Sequence, residues 1–123
     1  MCSILLSIKP EFVKSIFSGK KEYEFRKIKC KRDVERIIIY STNPVKLIVG
    51  EAKIETVLED DLDIIWSETK NKAGIDKEFF DEYYNGKNTA IAYKLSNVIQ
   101  YKTPKSLEEY GLTTAPQSFC YID

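Results

Sequence analysis

Histidine is absent from this chain of 123 residues, and glycine, proline and cysteine are scarce, with five, four and three residues. Without histidine, Ser-His-Asp and Cys-His catalytic groups, histidine-containing zinc sites and imidazole acid–base chemistry are excluded. Any chemistry must use amine, carboxylate, hydroxyl or thiol groups. Cys2, Cys30 and Cys120 lie far apart without a metal-binding spacing, so we expect reduced thiols and no disulfide, metal site or cofactor.

Long apolar runs, repeats and Pro/Gly/Ser-rich linkers are also lacking. No apolar run reaches the ~20 residues that a membrane-spanning helix needs, so no membrane partner is expected. The first residues have neither a basic leader nor a long apolar core, which predicts a cytoplasmic protein without a signal peptide. The length suits one domain, and residues 1–123 are predicted to form a single domain.

The net charge of zero hides an uneven distribution along the chain. Residues 1–53 contain 12 basic and 6 acidic side chains, whereas residues 54–91 contain 4 basic and 10 acidic ones. Such a split permits a basic face for an anionic partner. Two ordinary solvated surfaces would have the same composition, so charge alone leaves both interpretations open.

The hydrophobic pattern predicts five or six short strands and three modest helices, interleaved irregularly. Strands are expected within 5–8, 22–27, 36–41, 47–58, 90–101 (with a turn before Val98) and 119–122, and helices after Pro10, after Asp60 or Asp61, and after Asp76. A capping box at Ser106 and Glu109 predicts one further helical turn. The chain lacks regular βαβ alternation, so the best-fitting fold class is α+β, a small curved sheet or barrel with flanking helices.

Two segments are each compatible with two different local structures. The apolar positions change parity across Gly50-Glu51, which indicates either a β-bulge or two strands broken at Gly50. In the segment after Asp76, the four aromatic residues Phe79, Phe80, Tyr83 and Tyr84 are expected to be buried in the core. A stacking platform for nucleic-acid bases is the less favoured alternative.

The densest group of polar residues lies between Gly19 and Arg26. Glu24 and Arg26 are two residues apart, on one face of a predicted strand, and Lys21 precedes that strand. Two cations beside a carboxylate can hold an anionic ligand and also accept a hydrogen bond from an exocyclic amine. Glu-Arg pairs are also common on exposed strand faces, so an ordinary surface ion pair remains the alternative.

The spacing Gly19-x-Lys21-x-x-Glu24-x-Arg26 resembles the GxKxxExR signature of ASCH domains, which belong to the PUA-like superfold. The resemblance covers most of the chain, including Tyr40-Ser41-Thr42, Val49-Gly50-Glu51 and the closing segment 115–119. It implies a small, mostly antiparallel β-barrel of five to six strands with about three flanking helices. A cleft lined by the motif would lie between the barrel and the first helix.

Relatives in this superfold bind RNA or modified nucleotides in such clefts. The resemblance therefore implies an RNA- or nucleotide-binding protein, with a regulatory role linked to transcription or translation. By position, the implied ligand-binding residues are Lys9, Lys21, Glu24, Arg26, Ser41 and Thr42, with Gln117 and Ser118 added for their hydrogen-bonding capacity. The sequence leaves the oligomeric state open.

An enzymatic function is the alternative that the resemblance implies. Some ASCH proteins are amidohydrolases that act on N4-acylated cytidines with a lysine, a threonine and a glutamate. Lys21 matches the lysine, but Glu24 stands where the threonine is expected. Hydrolysis would then use Lys21, Thr42 and Glu24 as catalytic residues, with Thr42 as nucleophile and Lys21 as base, its pKa lowered by burial. Nuclease activity is also associated with the family, but Asp60, Asp61 and Asp63 are explained by a helix start.

Overall fold

A computed structural model describes residues 2–122 of the chain. Its elements, in chain order, are β1 (Ser3–Ile8), α1 (Pro10–Phe17), β2 (Tyr23–Arg26), β3 (Arg36–Ser41), β4 (Leu47–Asp61), α2 (Leu62–Thr69), α3 (Lys77–Tyr83), β5 (Thr89–Lys105) and β6 (Phe119–Ile122). Short 3₁₀ turns follow α2 at Lys70–Lys72 and precede β6 at Leu107–Tyr110. Within residues 2–122, no helix combines the length and the apolar character that crossing a membrane requires.

The six strands form one curled sheet in the order β2-β5-β4-β3-β1-β6. The pairing of β1 with β3 is parallel, and all the other pairings are antiparallel. β4 and β5 contain 15 and 17 residues and shift register at several points, and such irregularities bend and twist strands. The predicted α+β class, with six strands and three helices, is confirmed, and the barrel takes the form of a half-barrel.

Apolar side chains fill both faces of the central strands. Ile4, Leu6 and Ile8 of β1 belong to the main core under α1, whereas Leu5 faces a separate cluster with Ile38 of β3. A further cluster lies under α2 and α3 and includes Phe25, Ile65, Ala73, Phe80, Tyr84, Ala90 and Ala92. Coverage of β1 and β3 on both faces explains why their sequences are almost continuously apolar.

The parity change around Gly50 is a β-bulge, because β4 runs without a break from Leu47 to Asp61. Ile39 pairs with Gly50 and Tyr40 pairs with Ile48, so Val49 is the extra residue. A Cβ atom at Gly50 would collide with the carbonyl oxygen of Ile99 and would lie 2.7 Å from the Phe17 ring. Glycine therefore allows α1 and β5 to approach β4 closely.

Several local predictions about the ends of helices are confirmed. Pro10 is the first residue of α1, Asp76 accepts a hydrogen bond from the Phe79 N–H (2.8 Å) at the start of α3, and Ser106 and Glu109 form the capping box. The capping hydrogen bond predicted for α2 does not form. Asp61 occupies the N-cap position, but its side chain makes no capping hydrogen bond.

Of two predictions that depend on long-range packing, one is wrong and the other is wrong in part. The expected turn before Val98 does not form, since β5 continues through it; Asn97, with φ of 48°, is accommodated as a local irregularity. In α3, Phe80 and Tyr84 are buried, but Phe79 is 37% exposed and Tyr83 is half-buried. Successive helical residues point ~100° apart, so the two i,i+4 pairs occupy neighbouring faces, and only one faces the core.

We expect the substitution Gly50→Ala to destabilise the fold by about 1–3 kcal/mol, because the added methyl group overpacks a site closed partly by backbone. Urea unfolding followed by circular dichroism would measure the change. The control is Lys53→Ala, an exposed position on the same strand, where about 0.5 kcal/mol or less is expected. Equal stability of the two variants would contradict the role assigned to Gly50.

Candidate functional site

A pocket of about 200 Å³ lies where α1, β2 and α3 meet. Its lining combines aromatic walls with charged groups: Ser7, Ile8, Lys9, Phe12, Lys21, Glu24, Phe25, Arg26, Ile75, Phe79 and Tyr83. The motif residues Lys21, Glu24 and Arg26 thus open onto one cavity. A second depression, of about 600 Å³, is lined by residues that include Arg36, Glu51 and Asn97, and none of the residues predicted from the sequence lines it.

Lys21 is buried at this pocket, with 3% of its surface exposed. Its Nζ donates a hydrogen bond to the carbonyl oxygen of Ala73 (2.8 Å) and lies 4.9 Å from the ring centre of Phe25 and 5.4 Å from that of Phe12. Both distances are typical of cation–π contacts. These contacts hold the amine between two aromatic rings and one carbonyl.

Gly74 allows the chain after α2 to approach the stem of Lys21. The residue has φ of +71°, and a Cβ atom there would lie 2.5 Å from the Cβ of Lys21. Glycine is suited to both conditions, because it adopts positive φ without strain and has no side chain. The position of the Lys21 amine therefore depends on a segment about fifty residues further along the chain.

Burial lowers the pKa of Lys21 from its usual 10.5. The carboxylate of Glu24 opposes this effect, and the Arg26 guanidinium adds a smaller lowering. Among the described residues, no carboxylate lies within ion-pairing distance of Nζ. The amine can therefore lose its proton at a lower pH than a surface lysine, and it can act as a hydrogen-bond donor or, when neutral, as a base.

Glu24 and Arg26 form a largely buried ion pair, which differs from the exposed pair considered from the sequence. Their side chains are 8% and 14% exposed. Arg26 donates two hydrogen bonds to the same oxygen, Oε2 of Glu24, at 3.0 Å from Nε and 2.7 Å from Nη2. It also donates to the carbonyl oxygens of Ser7 (3.0 Å) and Ser118 (3.5 Å). The guanidinium is thus held by the protein.

The other carboxylate oxygen of Glu24, Oε1, receives no hydrogen bond from residues 2–122. No fully buried side-chain oxygen or nitrogen of these residues lacks a partner, so Oε1 is reachable by solvent. Glu24 lines the pocket together with Lys21. Among its polar groups, the pocket therefore combines an available hydrogen-bond acceptor, Oε1, with a buried donor, the Lys21 amine.

The aromatic walls were missed as site residues by the sequence reasoning. Phe12 of α1 and Phe79 of α3 contact each other edge to face, with ring centres 5.4 Å apart. The hydroxyl of Tyr83 donates to the carbonyl oxygen of Phe25 (3.3 Å), and burial raises the pKa of this phenol. The sequence did contain a signal that some of these rings lie outside the core. The segment of α3 has two i,i+4 aromatic pairs, and one helix face cannot bury both.

Of the eight residues proposed from the sequence, Lys9, Lys21, Glu24 and Arg26 line the pocket, whereas Ser41, Thr42, Gln117 and Ser118 do not. The backbone N–H of Thr42 donates to the carbonyl oxygen of Ile8 (3.0 Å), a residue that lines the pocket. Ser118 contributes its carbonyl oxygen to Arg26. Ser7, which was not proposed, lines the pocket and donates through Oγ to the carbonyl oxygen of Pro116 (2.8 Å).

Among residues 2–122, no three or more cysteine, aspartate and glutamate side chains are arranged so that they could hold a metal ion. The residues that line the pocket offer amine, guanidinium, carboxylate and hydroxyl groups together with aromatic rings.

Similarity to known proteins extends over nearly the whole chain. The profile of the family described as a domain of unknown function, DUF365, matches residues 1–115. The chain is 32% identical over 121 residues to large ribosomal subunit protein uL22 of Ureaplasma parvum, covering 98% of this chain and 39% of that protein. It is 37% identical over 92 residues to an ASCH domain-containing ribonuclease of Zymomonas mobilis, covering 74% of this chain and 62% of the relative.

The chain thus spans less than two thirds of the length of these curated relatives. Its fold is similar to the crystal structure of ASCH from Zymomonas mobilis, with a TM-score of 0.89 and 30% identity, over 98% of this chain and 87% of that one. The family profile, the shared sequence and the shared fold agree with the Gly19–Arg26 motif. The chain belongs to the DUF365 family and is an ASCH-domain protein.

Proposed function

We propose that this protein binds single-stranded RNA and takes one base into the pocket around Lys21. The observation that carries the proposal is the buried Lys21 amine beside the unpaired oxygen of Glu24, at the base of an aromatic pocket. An ASCH-domain relative that is 37% identical is named a ribonuclease, which supports RNA as the ligand. A free nucleotide carries the same base, sugar and phosphate groups and is the smallest ligand that the proposal covers.

The polar groups of the pocket can form hydrogen bonds with the edge of a nucleobase. A base carries a hydrogen-bond acceptor next to an N–H donor, so Lys21 would donate to a ring nitrogen or carbonyl and Glu24 Oε1 would accept from an amine. Aromatic side chains such as Phe12 and Phe79 can contact the base, and stacking on aromatic rings contributes about 1–3 kcal/mol per base. Arg26 would act by holding Glu24 rather than by touching phosphate.

A second candidate function is RNA cleavage at the same pocket. It is favoured by the lowered pKa of Lys21, which suits a general base, and by the name of the Zymomonas relative. The amidohydrolase alternative requires Thr42 as nucleophile beside Lys21. Thr42 does not line the pocket, which weighs against that mechanism.

The first test compares neighbouring lysines. Lys21→Met removes the charge but keeps most of the stem that packs against Gly74, and we expect it to weaken binding of a labelled, mixed-sequence RNA octamer at least about tenfold. A hydrogen bond to a charged group contributes about 1.5–3 kcal/mol, and about 1.4 kcal/mol corresponds to a factor of ten. Fluorescence anisotropy would measure the affinity.

The matched control is Lys20→Met, because Lys20 is exposed and does not line the pocket. We expect it to change the affinity less than about twofold. Equal losses in both variants would indicate general electrostatic attraction and would contradict a role for the pocket. Absence of binding by the unmodified protein at low salt would refute the proposal itself.

The lowered pKa of Lys21 predicts opposite pH effects on binding and stability. RNA affinity should fall as the pH rises through the depressed pKa, below the usual 10.5, because the neutral amine is a weaker donor. In the same range the folded protein binds fewer protons than the unfolded chain, so the free energy of unfolding should rise with pH. Anisotropy and urea titrations between pH 7 and about 10 would measure both, and Lys21→Met should make both dependences shallower.

Cleavage is tested by chromatography of two substrates incubated separately with the protein, the RNA octamer and N4-acetylcytidine. Shortened RNA that disappears with Lys21→Met but persists with Lys20→Met would establish the second candidate function. Release of acetate that depends on both Lys21 and Thr42 would instead favour the amidohydrolase alternative. If both substrates remain intact in every reaction, catalysis is contradicted and binding remains the proposed function.

A further inference from the structure

The loop between β2 and β3 carries a concentrated positive charge. We define the basic loop as residues 27–32, with the sequence Lys27-Ile28-Lys29-Cys30-Lys31-Arg32, which contains four basic residues and no acidic one. All its side chains except Cys30 are exposed. Like charges so close together repel one another, and an anionic partner would relieve this repulsion.

Contacts from the sheet hold this loop although it has no regular secondary structure. Cys30 is buried in the main core, and its N–H donates to the hydroxyl of Tyr93 on β5 (3.1 Å). The N–H groups of Lys31 and Arg32 both donate to the hydroxyl of Tyr121 on β6 (3.0 and 3.3 Å). β6 is one edge of the sheet and β5 adjoins the other edge strand, so the loop crosses the open side of the half-barrel.

The basic loop begins at the rim of the pocket. Lys27 follows Arg26 directly, and its ammonium lies 4.7 Å from the ring centre of Tyr83, which lines the pocket. Lys29 contacts Glu59 at 3.5 Å, but both side chains are about half exposed. Such a surface pair contributes little, so Lys29 can exchange this partner for a phosphate group.

Ile28 adds an apolar contact among these cations. It is 65% exposed, more than any other large apolar side chain that is exposed in residues 2–122. An isolated exposed isoleucine needs no explanation by itself. Between lysines next to an aromatic pocket, however, it is placed to contact a base or sugar beside the one in the pocket.

We propose that the basic loop binds the backbone of single-stranded RNA on one side of the nucleotide held in the pocket, through Lys27, Lys29 and Lys31. This inference rests on the proposed function and deepens it, because it makes the ligand a strand of several nucleotides rather than a mononucleotide. Tyr93 and Tyr121 act as positioning residues that hold the loop backbone. Bound phosphates would replace the counterions of the loop.

The test compares two double variants of exposed lysines. Lys29→Gln with Lys31→Gln removes two charges from the basic loop, and Lys87→Gln with Lys102→Gln removes two from elsewhere on the surface. Affinities for the labelled RNA octamer and for the four ribonucleoside monophosphates are measured over a range of salt concentrations. Thermal unfolding confirms that each variant retains the fold.

For the loop variant, we expect at least about tenfold weaker octamer binding at low salt, with unchanged binding of the monophosphates. The slope of log affinity against log salt should become shallower by about 1.4, since each single-strand phosphate contact contributes about 0.7. The control variant should retain both the affinity and the slope. This combination would assign the strand contact to the loop.

Other outcomes separate this inference from the proposed function. If the loop variant keeps the octamer affinity and slope while Lys21→Met loses both ligands, the proposed function stands and the inference about the loop is wrong. Equal losses in the loop and control variants would also overturn it, because they would reflect overall charge. If the unmodified protein binds neither the octamer nor any monophosphate, both proposals fail together.

Discussion

The buried guanidinium of Arg26 is the constraint on which the rest of the site depends. It extends from the edge strand β2 to Ser7 on β1 and to Ser118 just before β6, at the opposite end of the sheet order. A buried cation is tolerated only when it is neutralised and hydrogen-bonded, and removing one partner of such a pair costs about 3–5 kcal/mol. Glu24 provides the compensating charge through one oxygen. The same guanidinium therefore links both ends of the sheet order and fixes the position of the Glu24 carboxylate.

This arrangement separates structural charges from a charge that is available to a ligand. Arg26 is occupied by protein acceptors, whereas Lys21 has one carbonyl partner and two ring faces. Because Lys21 is buried without an ion pair, the pKa of its amine is lower than that of a lysine in water. The rings form the walls of a concave site in which charged groups converge, an arrangement common in small-ligand pockets.

Local signals predicted local structure well. The proline at the start of α1, the aspartate before α3 and the parity change at Gly50 each act within a few residues, and the structure agrees with each. Predictions failed where distant segments decide the outcome. Pairing with β4 carries β5 through the expected turn at Asn97. Packing of α3 against the sheet selects Phe80 and leaves Phe79 at the pocket.

The sequence by itself determined the spacing of Lys21, Glu24 and Arg26, the absence of histidine chemistry, the excess of positive charge in residues 1–53, and the resemblance to ASCH domains. These features depend only on which residues are present and in what order. Only the tertiary structure decided that Lys21 is buried with a lowered pKa and that Arg26 is held by the protein. Desolvation is set by every group packed around a charge, and here those groups include Ala73 and Gly74, which are distant in sequence.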